Sequence, residues 1–545
     1  MTHCSAAIGI AAALAVYGGN PAFGQDGADR LDPLIAESET TQQDDPRAPA
    51  LPPVLAYELD SLPVAAAARS VQVGAVRLAG LETLAQADFM PALEPFLGRN
   101  LDADGQRDLV QAVVARLHGL GYPLGQAAIG RQTVAAGVLV VTVDEGRIDA
   151  VRIEGAQNDL VDRMFAPLAI GKPVRGTELQ RAILLAEAVP GVRVVRAALK
   201  QEGTLNILVV RLREQQTAAR IAADNWGSDT LGPVKLRGRV RQRSVITDGD
   251  EVTGFAITTP ASPQEYLFGS VSYTVPVDAD GTRIGFSGSV ARIDAVGANT
   301  GRELEGQGER VRAWIENPVV LTPNLSLGAT IGMSYRDTEQ SSDGTRSRAE
   351  RVAALTAGFD ASVRVDGMRA FGRVDITRGT GWFGSTRQGD PLASRDDGDA
   401  RFTLLELGAS VISPIAGPLS VRTDVKAQFA SRPLLAGDEM GFGGPNFGRG
   451  YFFREEAGDN ALAGAVEVRV DVPGIPRLLR ELQVYGYGDA ARLTNLRGGS
   501  DHELATAGAG LRAQVTRRFG FGIEIGVPLD QDREPRGNFE TWLTF

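Results

Sequence analysis

Residues 355–365 read LTAGFDASVRV and alternate between two kinds of side chain. Apolar residues take every second position from Leu355 to Val365, and the positions between them hold threonine, glycine, aspartate, serine and arginine. Because successive side chains of a β-strand point to opposite faces, this period of two predicts a strand with one apolar and one polar face. Such a strand fits either a half-solvated sheet or a membrane barrel with a water-filled lumen.

The same alternation recurs from about residue 215 to the C-terminus. It is clear in TRIGFSGSV (282–290), IGMSY (331–335) and FGFGIEIGV (519–527). The region lacks a convincing helix and carries charges in mid-strand, and its roughly 330 residues would supply roughly sixteen strands of bilayer-spanning length. We therefore predict an all-β antiparallel transmembrane barrel over residues 215–545. A glycine-rich soluble sheet protein is the alternative.

An internal repeat precedes this region. Residues 75–80 read AVRLAG and residues 150–155 read AVRIEG, an offset of 75 residues. Each hexapeptide opens the same predicted order of elements, β-α-α-β-β. The same order twice, opened by nearly the same hexapeptide, predicts tandem α+β domains over residues 71–146 and 147–214.

The N-terminus begins with the apolar stretch CSAAIGIAAALAVYGG, residues 4–19. It is shorter than the roughly 18 apolar residues that a spanning helix needs, and PAFGQ, just beyond it, permits cleavage after about Gly24. We interpret residues 1–24 as a secretory signal peptide, whose removal would take away Cys4, the one cysteine. Residues 25–70 combine proline and acidic residues at a density that predicts a linker, with a helix candidate at 29–42.

Composition argues against nucleic-acid binding and catalysis. The net charge is −11, whereas a nucleic-acid binder usually has a basic face. The three histidines, His3, His118 and His502, fall in different predicted regions, so they cannot converge on a zinc site or a hydrolytic triad. The carboxylate pairs Asp396–Asp397 and Glu455–Glu456 fit solvated loop charges. We predict a protein that is not an enzyme and has no cofactor or metal.

Several segments, in order, resemble two-partner secretion outer-membrane transporters, the TpsB family of haemolysin secretion/activation proteins. DNWGSDTLG (224–232) resembles the opening of the family's barrel, and YTVP (273–276), followed by Gly281-Thr282, resembles its first hairpins. GRGY (448–451) resembles the VRGY/F motif of the long sixth extracellular loop, and YGDAA (487–491) resembles the FxDxG motif of a barrel strand. The resemblance implies that the two α+β units are POTRA domains.

The resemblance also implies roles for particular residues. The extracellular loop around 436–462 would fold back into the lumen, where Arg449 would pair with Asp489 on the inner wall. Gly448 stands where the family usually has valine, and Ala491 where FxDxG has its last glycine. The implied site residues are Gly448, Arg449, Gly450 and Tyr451 in the loop, Tyr487 and Asp489 on the wall, and Phe545 as the C-terminal barrel-assembly signal.

Finally, the resemblance implies a function. The POTRA domains would lie in the periplasm and capture an exported, unfolded partner of the adhesin or haemolysin type by adding one of its segments to a sheet edge. The partner would then cross the outer membrane through a monomeric barrel that contacts lipid and is itself inserted by the barrel-assembly machinery. The alternatives are an insertase for other outer-membrane proteins and a passive porin or receptor.

Overall fold

In the computed structural model, the described residues are Leu34, Ala56–Glu58 and 70–545 apart from 135, 204, 229, 297–300, 476–477, 499 and 531–532. The predicted signal peptide and most of the predicted linker, including all of the helix candidate at 29–42 except Leu34, lie outside these residues. Among the described residues, no helix is both long and apolar enough to cross a membrane.

The first α+β unit has a three-stranded sheet covered by a long helix. In it, β3 pairs parallel with β6, and β5 pairs antiparallel with β6 on the other side. Leu109, Val113 and Leu117, four residues apart, lie on the face of α2 that packs on the sheet, and all three are fully buried. In chain order, after β1 (Ala56–Glu58), the elements are β2 Val71–Gln72, β3 Ala75–Ala79, α1 Met90–Leu93, β4 Asn100–Leu101, α2 Ala103–Gly119, β5 Gln126–Ala128 and β6 Val138–Asp144.

The second unit repeats this topology. Its first strand, β7, pairs parallel with its last, β9, and β8 pairs antiparallel with β9. The strand β1 adds in parallel to the outer edge of β8, so the sheet order is β1-β8-β9-β7. The elements are β7 Ala150–Gly155, α3 Asp159–Phe165, α4 Gly176–Ala188, β8 Val192–Glu202 and β9 Leu205–Glu214.

The glycine that ends each repeated hexapeptide has the same role in both units. Gly80 and Gly155 both have a φ of 93°. A Cβ atom at either position would collide with a carbonyl oxygen of the neighbouring strand, that of Val143 or Leu212. Glycine is therefore required where the first strand passes close to the last one.

The C-terminal region is a closed barrel of sixteen antiparallel strands, as predicted. The seam pairs β10 with β27, with Arg220 opposite Thr544. The barrel strands are β10 Thr217–Asp224, β11 Lys235–Arg243, β12 Glu251–Thr258, β13 Tyr266–Pro276, β14 Arg283–Val296, β15 Glu303–Leu321, β16 Leu325–Ser342, β17 Thr345–Val365, β18 Met368–Thr380, β19 Thr403–Ala416, β20 Leu419–Ala430, β23 Asn460–Asp471, β24 Glu481–Thr494, β25 His502–Gln514, β26 Phe519–Pro528 and β27 Arg536–Thr544. Two short strands, β21 Met440–Phe442 and β22 Glu456–Gly458, pair with each other in the loop between β20 and β23.

The apolar face of the alternating strands points outward. Phe359 is 65% exposed and Ile331 is 70% exposed. The polar residues between them point inward, and Thr356 and Thr330 line an internal cavity. A closed sheet with an apolar outer band and a polar interior leaves no unpaired barrel edge and suits insertion in a bilayer.

The second unit packs against the turns at the near end of the barrel. Ala279 and Leu321, which belong to or border two of these turns, contact the hydrophobic core of the second unit. The long loop between β20 and β23 leaves the opposite, far end of the barrel.

Candidate functional site

The loop between β20 and β23, residues 431–459, folds back into the lumen. A short 3-10 helix, Ala436–Asp438, and the hairpin of β21 and β22 organise its two arms. Pro445, Phe447 and Arg449 at its tip line the same cavity as inward-facing strand residues. The loop tip therefore lies inside the barrel.

The backbone conformation of Gly448 determines the direction of the chain at the loop tip. Its φ is 77°, and a Cβ atom there would lie 2.6 Å from a ring carbon of Phe442. Glycine adopts this conformation without strain, and any larger residue would collide with Phe442. On the wall, a Cβ atom at Gly526 would lie 2.6 Å from the carbonyl oxygen of Arg449, so the loop backbone runs directly against β26.

The guanidinium of Arg449 forms a bidentate hydrogen bond with the carboxylate of Asp489. Its Nε donates to Oδ2 at 3.1 Å and its Nη2 to Oδ1 at 2.8 Å. The backbone N–H groups of Gly448 and Arg449 also donate to Oδ2, both at 3.2 Å. Arg449 and Asp489 are only 4% and 3% exposed, so water screens the pair little.

Glu467 on β23 joins this pair to two further arginines. It accepts from Nη1 of Arg449 at 2.6 Å, from Nε of Arg469 at 2.7 Å and from Nη1 of Arg512 at 2.7 Å. Glu524 on β26 lies 4.0 Å from Nη1 of Arg449. Three arginines thus face three carboxylates, and this balance of charge is what a buried ion network requires. These six residues, with Tyr487, are called the loop hub: Arg449, Glu467, Arg469, Tyr487, Asp489, Arg512 and Glu524.

The aromatic ring of Tyr487 supports the guanidinium of Arg449. The guanidinium carbon lies 3.3 Å from the ring centroid, and the Tyr487 hydroxyl donates to the carbonyl of Ile525 at 3.1 Å. Tyr451 donates its hydroxyl to the carbonyl of Ala505 at 3.0 Å, and the side-chain amide of Asn538 donates to the carbonyl of Arg449 at 2.8 Å. The strands β24 to β27 therefore all hold the tip.

The structure brings all but one of the sequence-derived site residues together. Gly448 and Arg449 bind Asp489, and Arg449 stacks on Tyr487. The neighbouring Gly450 and Tyr451 lie against β25, at Thr506 and Ala505. Phe545 is half-exposed at the barrel seam, where its backbone forms hydrogen bonds with Ala219. Sequence reasoning missed four residues of the hub, Glu467, Arg469, Arg512 and Glu524. The available signal was a charged residue at an inward position of an alternating strand, such as Glu524 in IEI (523–525). That signal does not show which strands bring their charges together.

A second charged cluster joins the loops at the far end. Arg395 donates from Nη1 to Glu439 at 2.7 Å and to Asp459 at 2.9 Å. Asp459 is fully buried and also accepts from the backbone N–H groups of Leu434 at 2.6 Å and Leu496 at 2.8 Å. Burial alone would lower the pKa of Arg395, but the charges of Asp459 and Glu439 and its hydrogen bonds outweigh burial and raise it, so Arg395 stays charged.

The prediction of solvated carboxylate pairs was wrong for three of the four residues. Asp397 pairs with Arg395 at 3.1 Å. Arg533 bridges Glu455 at 2.7 Å and Glu456 at 3.1 Å. Glu455 and Glu456 thereby join the loop 431–459 to the loop that follows β26, whereas Asp397 is paired within its own loop.

Among the described residues, no group of three or more histidine, cysteine, aspartate or glutamate side chains is arranged to hold a metal ion. The loop hub likewise pairs its carboxylates with arginines. These contacts fix the tip of the loop against the barrel wall.

Comparison with known proteins identifies two family models. The model of the haemolysin secretion/activation proteins ShlB/FhaC/HecB matches residues 203–513, more than half of the chain. The model of the ShlB-type POTRA domain matches residues 71–146.

Among curated proteins, the chain is similar to the outer membrane transporter CdiB of Dickeya dadantii (strain 3937). The two are 21% identical over 343 residues, which cover 62% of this chain and 60% of that protein. The chain thus spans less than two thirds of the length of this relative.

Two solved structures share the fold. CdiB from Escherichia coli superposes with a TM-score of 0.75 at 17% identity, covering 96% of this chain and 100% of that one. CdiB from Acinetobacter baumannii gives a TM-score of 0.64 at 16% identity, with the same coverage. At these identities the likeness concerns the fold alone.

Proposed function

The chain belongs to the haemolysin secretion/activation protein family ShlB/FhaC/HecB, and from that membership we propose that it is an outer-membrane translocation pore. It captures an exported, unfolded partner protein through its POTRA domains and secretes it across the outer membrane. The observation that carries this proposal is the closed barrel, with a cavity of about 1130 Å³, joined to a sheet that accepts an added strand.

The sheet of the second unit supports capture by strand addition. Its edge strand β8 already carries β1 in parallel, with Tyr57 opposite Leu199. An unfolded partner offers unpaired backbone and can use the same edge without a strict sequence code. The partner would compete with β1 for this edge.

The loop hub is consistent with a pore whose free width depends on the position of the loop 431–459. A loop that crosses the lumen narrows the path of a polypeptide, and the Arg449–Asp489 pair keeps that loop against one wall. Removing Arg449 would leave Asp489 and Glu467 as buried carboxylates with fewer partners, a change that typically costs about 3–5 kcal/mol. The hub therefore holds the loop whose position sets how much of the lumen is open to a polypeptide.

The proposed function also implies how the chain is placed in the cell envelope. The apolar outer band of the barrel contacts outer-membrane lipid, and the two α+β units face the periplasm, from which the partner arrives. Phe545 is the proposed C-terminal signal for the barrel-assembly machinery. The barrel acts as a monomer, catalyses no reaction and uses no cofactor.

Co-expression with candidate exported partners tests the function. The culture medium should contain the partner with the native chain and much less of it with Arg449→Ala, while the amount of inserted barrel stays equal. Arg492→Ala is the matched control, because Arg492 is an exposed barrel arginine outside the hub. Normal secretion by Arg449→Ala would refute the role of the hub.

The same co-expression experiment distinguishes a secretion pore from an insertase for other outer-membrane proteins. Loss of the chain should remove one exported partner from the medium and leave other outer-membrane proteins at their usual level. A general fall in outer-membrane proteins would instead favour an insertase.

A further inference from the structure

A short turn at the far end of the barrel exposes two large aromatic side chains. After β18 ends at Thr380, the 3-10 helix Trp382–Gly384 begins the loop 381–402. Trp382 is 52% exposed and Phe383 is 68% exposed. A single exposed apolar side chain is ordinary, but two adjacent aromatic ones indicate an interaction surface. We call Trp382 and Phe383 the aromatic foot.

Phe383 adopts a backbone conformation that is unusual for a bulky residue. Its φ is 55° and its ψ is 32°, in the left-handed region where a Cβ atom crowds the following carbonyl. The Ser385 hydroxyl fixes the turn, because it donates to the carbonyl of Trp382 at 2.7 Å and accepts from the N–H of Ala353 at 3.2 Å. The chain thus tolerates backbone strain at the more exposed of the two rings, and such strain is typical of functional positions.

The aromatic foot lies on the outer face of the barrel wall. The ring of Phe383 packs edge-on against Tyr335 of β16, with centroids 5.8 Å apart and ring planes at 80°. Tyr335 lies opposite Ala353 of β17. Both positions are in phase with the outward-facing, exposed side chains of Met333 and Leu355. The start of the loop 381–402 is therefore turned outwards, over the face that carries the apolar band.

The aromatic foot is at the height at which the apolar band ends. On β17 the outward apolar positions run from Val365 to Leu355. They cover about 33 Å of strand, or about 25 Å of height at a tilt of about 40°, which equals the apolar band of outer-membrane barrels. Beyond the foot the outer face is charged, and Arg351 donates from Nε to Oδ2 of Asp337 at 2.9 Å. The foot thus lies where a lipid-facing surface meets a hydrated one.

We propose that Trp382 and Phe383 bind lipid of the outer leaflet, with their rings at the boundary between headgroups and acyl chains. Aromatic rings favour this depth because they are apolar and polarisable at once. Lipid is the occupant because the foot continues the outer band of the barrel without a break. The proposal rests on insertion of the barrel in the outer membrane, and it does not depend on secretion of a partner.

This lipid contact would also hold the loop that carries the far-end cluster. Next to the foot, the N–H of Thr386 donates to the carbonyl of Arg351 at 2.9 Å, and its hydroxyl accepts from the N–H of Arg351 at 2.9 Å. Further along the same loop, Arg395 binds the loop 431–459. The loop 381–402 therefore connects the membrane surface to the loop that crosses the lumen.

The test uses the full-length chain in dioleoylphosphatidylcholine nanodiscs, with a single cysteine that carries a bimane fluorophore. Cys4 is replaced by serine, and Phe383→Cys provides the reporter. Fluorescence is quenched by lipids with a nitroxide near the headgroup, by lipids with a nitroxide deep in the acyl chain, and by iodide in the water. Phe359→Cys, in the middle of the apolar band, and Thr345→Cys, at an exposed hairpin tip, are the controls.

The probe at position 383 should be quenched about twofold or more better by the shallow nitroxide than by the deep one, and only weakly by iodide. Position 359 should show the opposite preference between the two lipids, and position 345 should respond to iodide alone. Trp382→Cys, which keeps Phe383 and the fixed turn, is the second reporter and should behave as position 383 does.

A second measurement tests whether the lipid contact holds the loop. Trp382→Ser with Phe383→Gly removes both rings, while glycine adopts the positive φ without strain. The amide of Thr386 should then exchange with solvent about tenfold faster or more in the nanodisc. Tyr335→Ala removes the packing partner and keeps the foot, so it should change this exchange much less.

Quenching at positions 382 and 383 by iodide, and by neither lipid, would overturn the proposal. So would a probe that no quencher reaches, because a protein surface would then cover the foot. Equal exchange of Thr386 in the two variants would assign the hold on the loop to ring packing instead of lipid. Quenching at position 359 by the deep nitroxide shows that the barrel has inserted, and none of these measurements requires a secreted partner.

Discussion

Arg449 is fixed by geometry that another cation cannot reproduce. Its planar guanidinium binds both oxygens of Asp489, reaches Glu467 and stacks on Tyr487 at 3.3 Å. A lysine carries the same charge, but its ammonium group can neither bind both carboxylate oxygens in a bidentate manner nor stack on an aromatic ring as a planar guanidinium does. The position therefore depends on the shape of the side chain as well as on its sign.

The hub predicts that exchanging the two charges will not restore function. In the variant Arg449→Asp with Asp489→Arg, the new carboxylate would face Glu467 and Glu524, which approach Arg449 to 2.6 Å and 4.0 Å. Like charges buried together are costly, so secretion should stay as low as in either single variant. Adding Glu467→Gln should raise secretion from this low level. Full secretion by the exchanged pair alone, measured in culture medium, would show that the pair acts without its neighbours.

A buried carboxylate outside the barrel makes stability depend on pH. Glu145 is 2% exposed and accepts from the Thr83 hydroxyl and from the backbone N–H groups of Glu82, Thr83 and Leu84. Burial alone would raise the pKa of Glu145, but these hydrogen bonds outweigh burial and hold it below its usual value of 4.5. The ionised form thus stabilises the first unit above the unfolded-state pKa, and this contribution is lost as the pH falls through the folded-state pKa.

Glu145→Gln should destabilise the segment around Glu82–Leu84 by about 1–2 kcal/mol at pH 7. The difference from the native chain should vanish as the pH falls below the folded-state pKa of Glu145. Hydrogen exchange of the amides of residues 82–84 in the full chain measures both effects, with exposed Glu94→Gln as the control. A difference that does not depend on pH would assign the effect to packing instead of charge.

At the level of elements, alternation and helical periodicity were informative because they are local. The two helices predicted for the second unit are found at Asp159–Phe165 and Gly176–Ala188, and the strand 355–365 has its apolar residues on the outer face. The pairing of strands that are distant in the chain could not be predicted from such local patterns. The addition of β1, three residues long, to β8 about 140 positions later leaves no periodic trace, and the convergence of β23, β24 and β26 on Arg449 depends on barrel closure.

The β1–β8 pairing yields a prediction at this scale. Prolines at both Ala56 and Tyr57 remove two consecutive backbone N–H groups, so any ladder hydrogen bond that they donate is lost. The amides among residues 198–200 that point towards β1 should then exchange with solvent about tenfold faster or more, while those of β9 should not change, because β9 is paired on both sides. The control, Ala56→Gly with Tyr57→Ala, keeps both N–H groups.

A captured partner should restore the protection of residues 198–200 in the proline variant, because it would occupy the vacated edge. Unchanged exchange in the proline variant would show that β1 does not protect this edge. Faster exchange that no partner reverses would place capture elsewhere on the POTRA domains.

In the whole molecule, the loop 431–459 is anchored at two separate points. The hub holds Arg449 at its tip, and the far-end cluster holds Glu439 and Asp459 through Arg395. Both anchors are buried ion networks, and each consists of residues from several loops or strands. The position of the loop is thus decided jointly by the barrel wall and by its neighbouring loops.

Two anchors on one loop predict a non-additive response. Arg395→Gln or Arg449→Ala alone leaves the other anchor, so the lumen should open only slightly to a reagent added from the far end. The double variant frees the loop at both points and should raise the reaction rate of a thiol reagent with a lumen cysteine, introduced as Ser272→Cys in a Cys4→Ser background, well beyond the product of the two single effects. Sites that share a structural element couple in this way, whereas independent sites give additive free energies.

The measurement is a double-mutant cycle on the modification rate of that cysteine in intact cells, with an impermeant reagent. Arg492→Gln replaces Arg395→Gln in a control cycle, because Arg492 is exposed and pairs with the exposed Glu503 at 3.6 Å. The control cycle should give rates that multiply simply. If the Arg395–Arg449 cycle did so as well, the two networks would act on separate parts of the pore, and the loop would not be the single element that both of them hold.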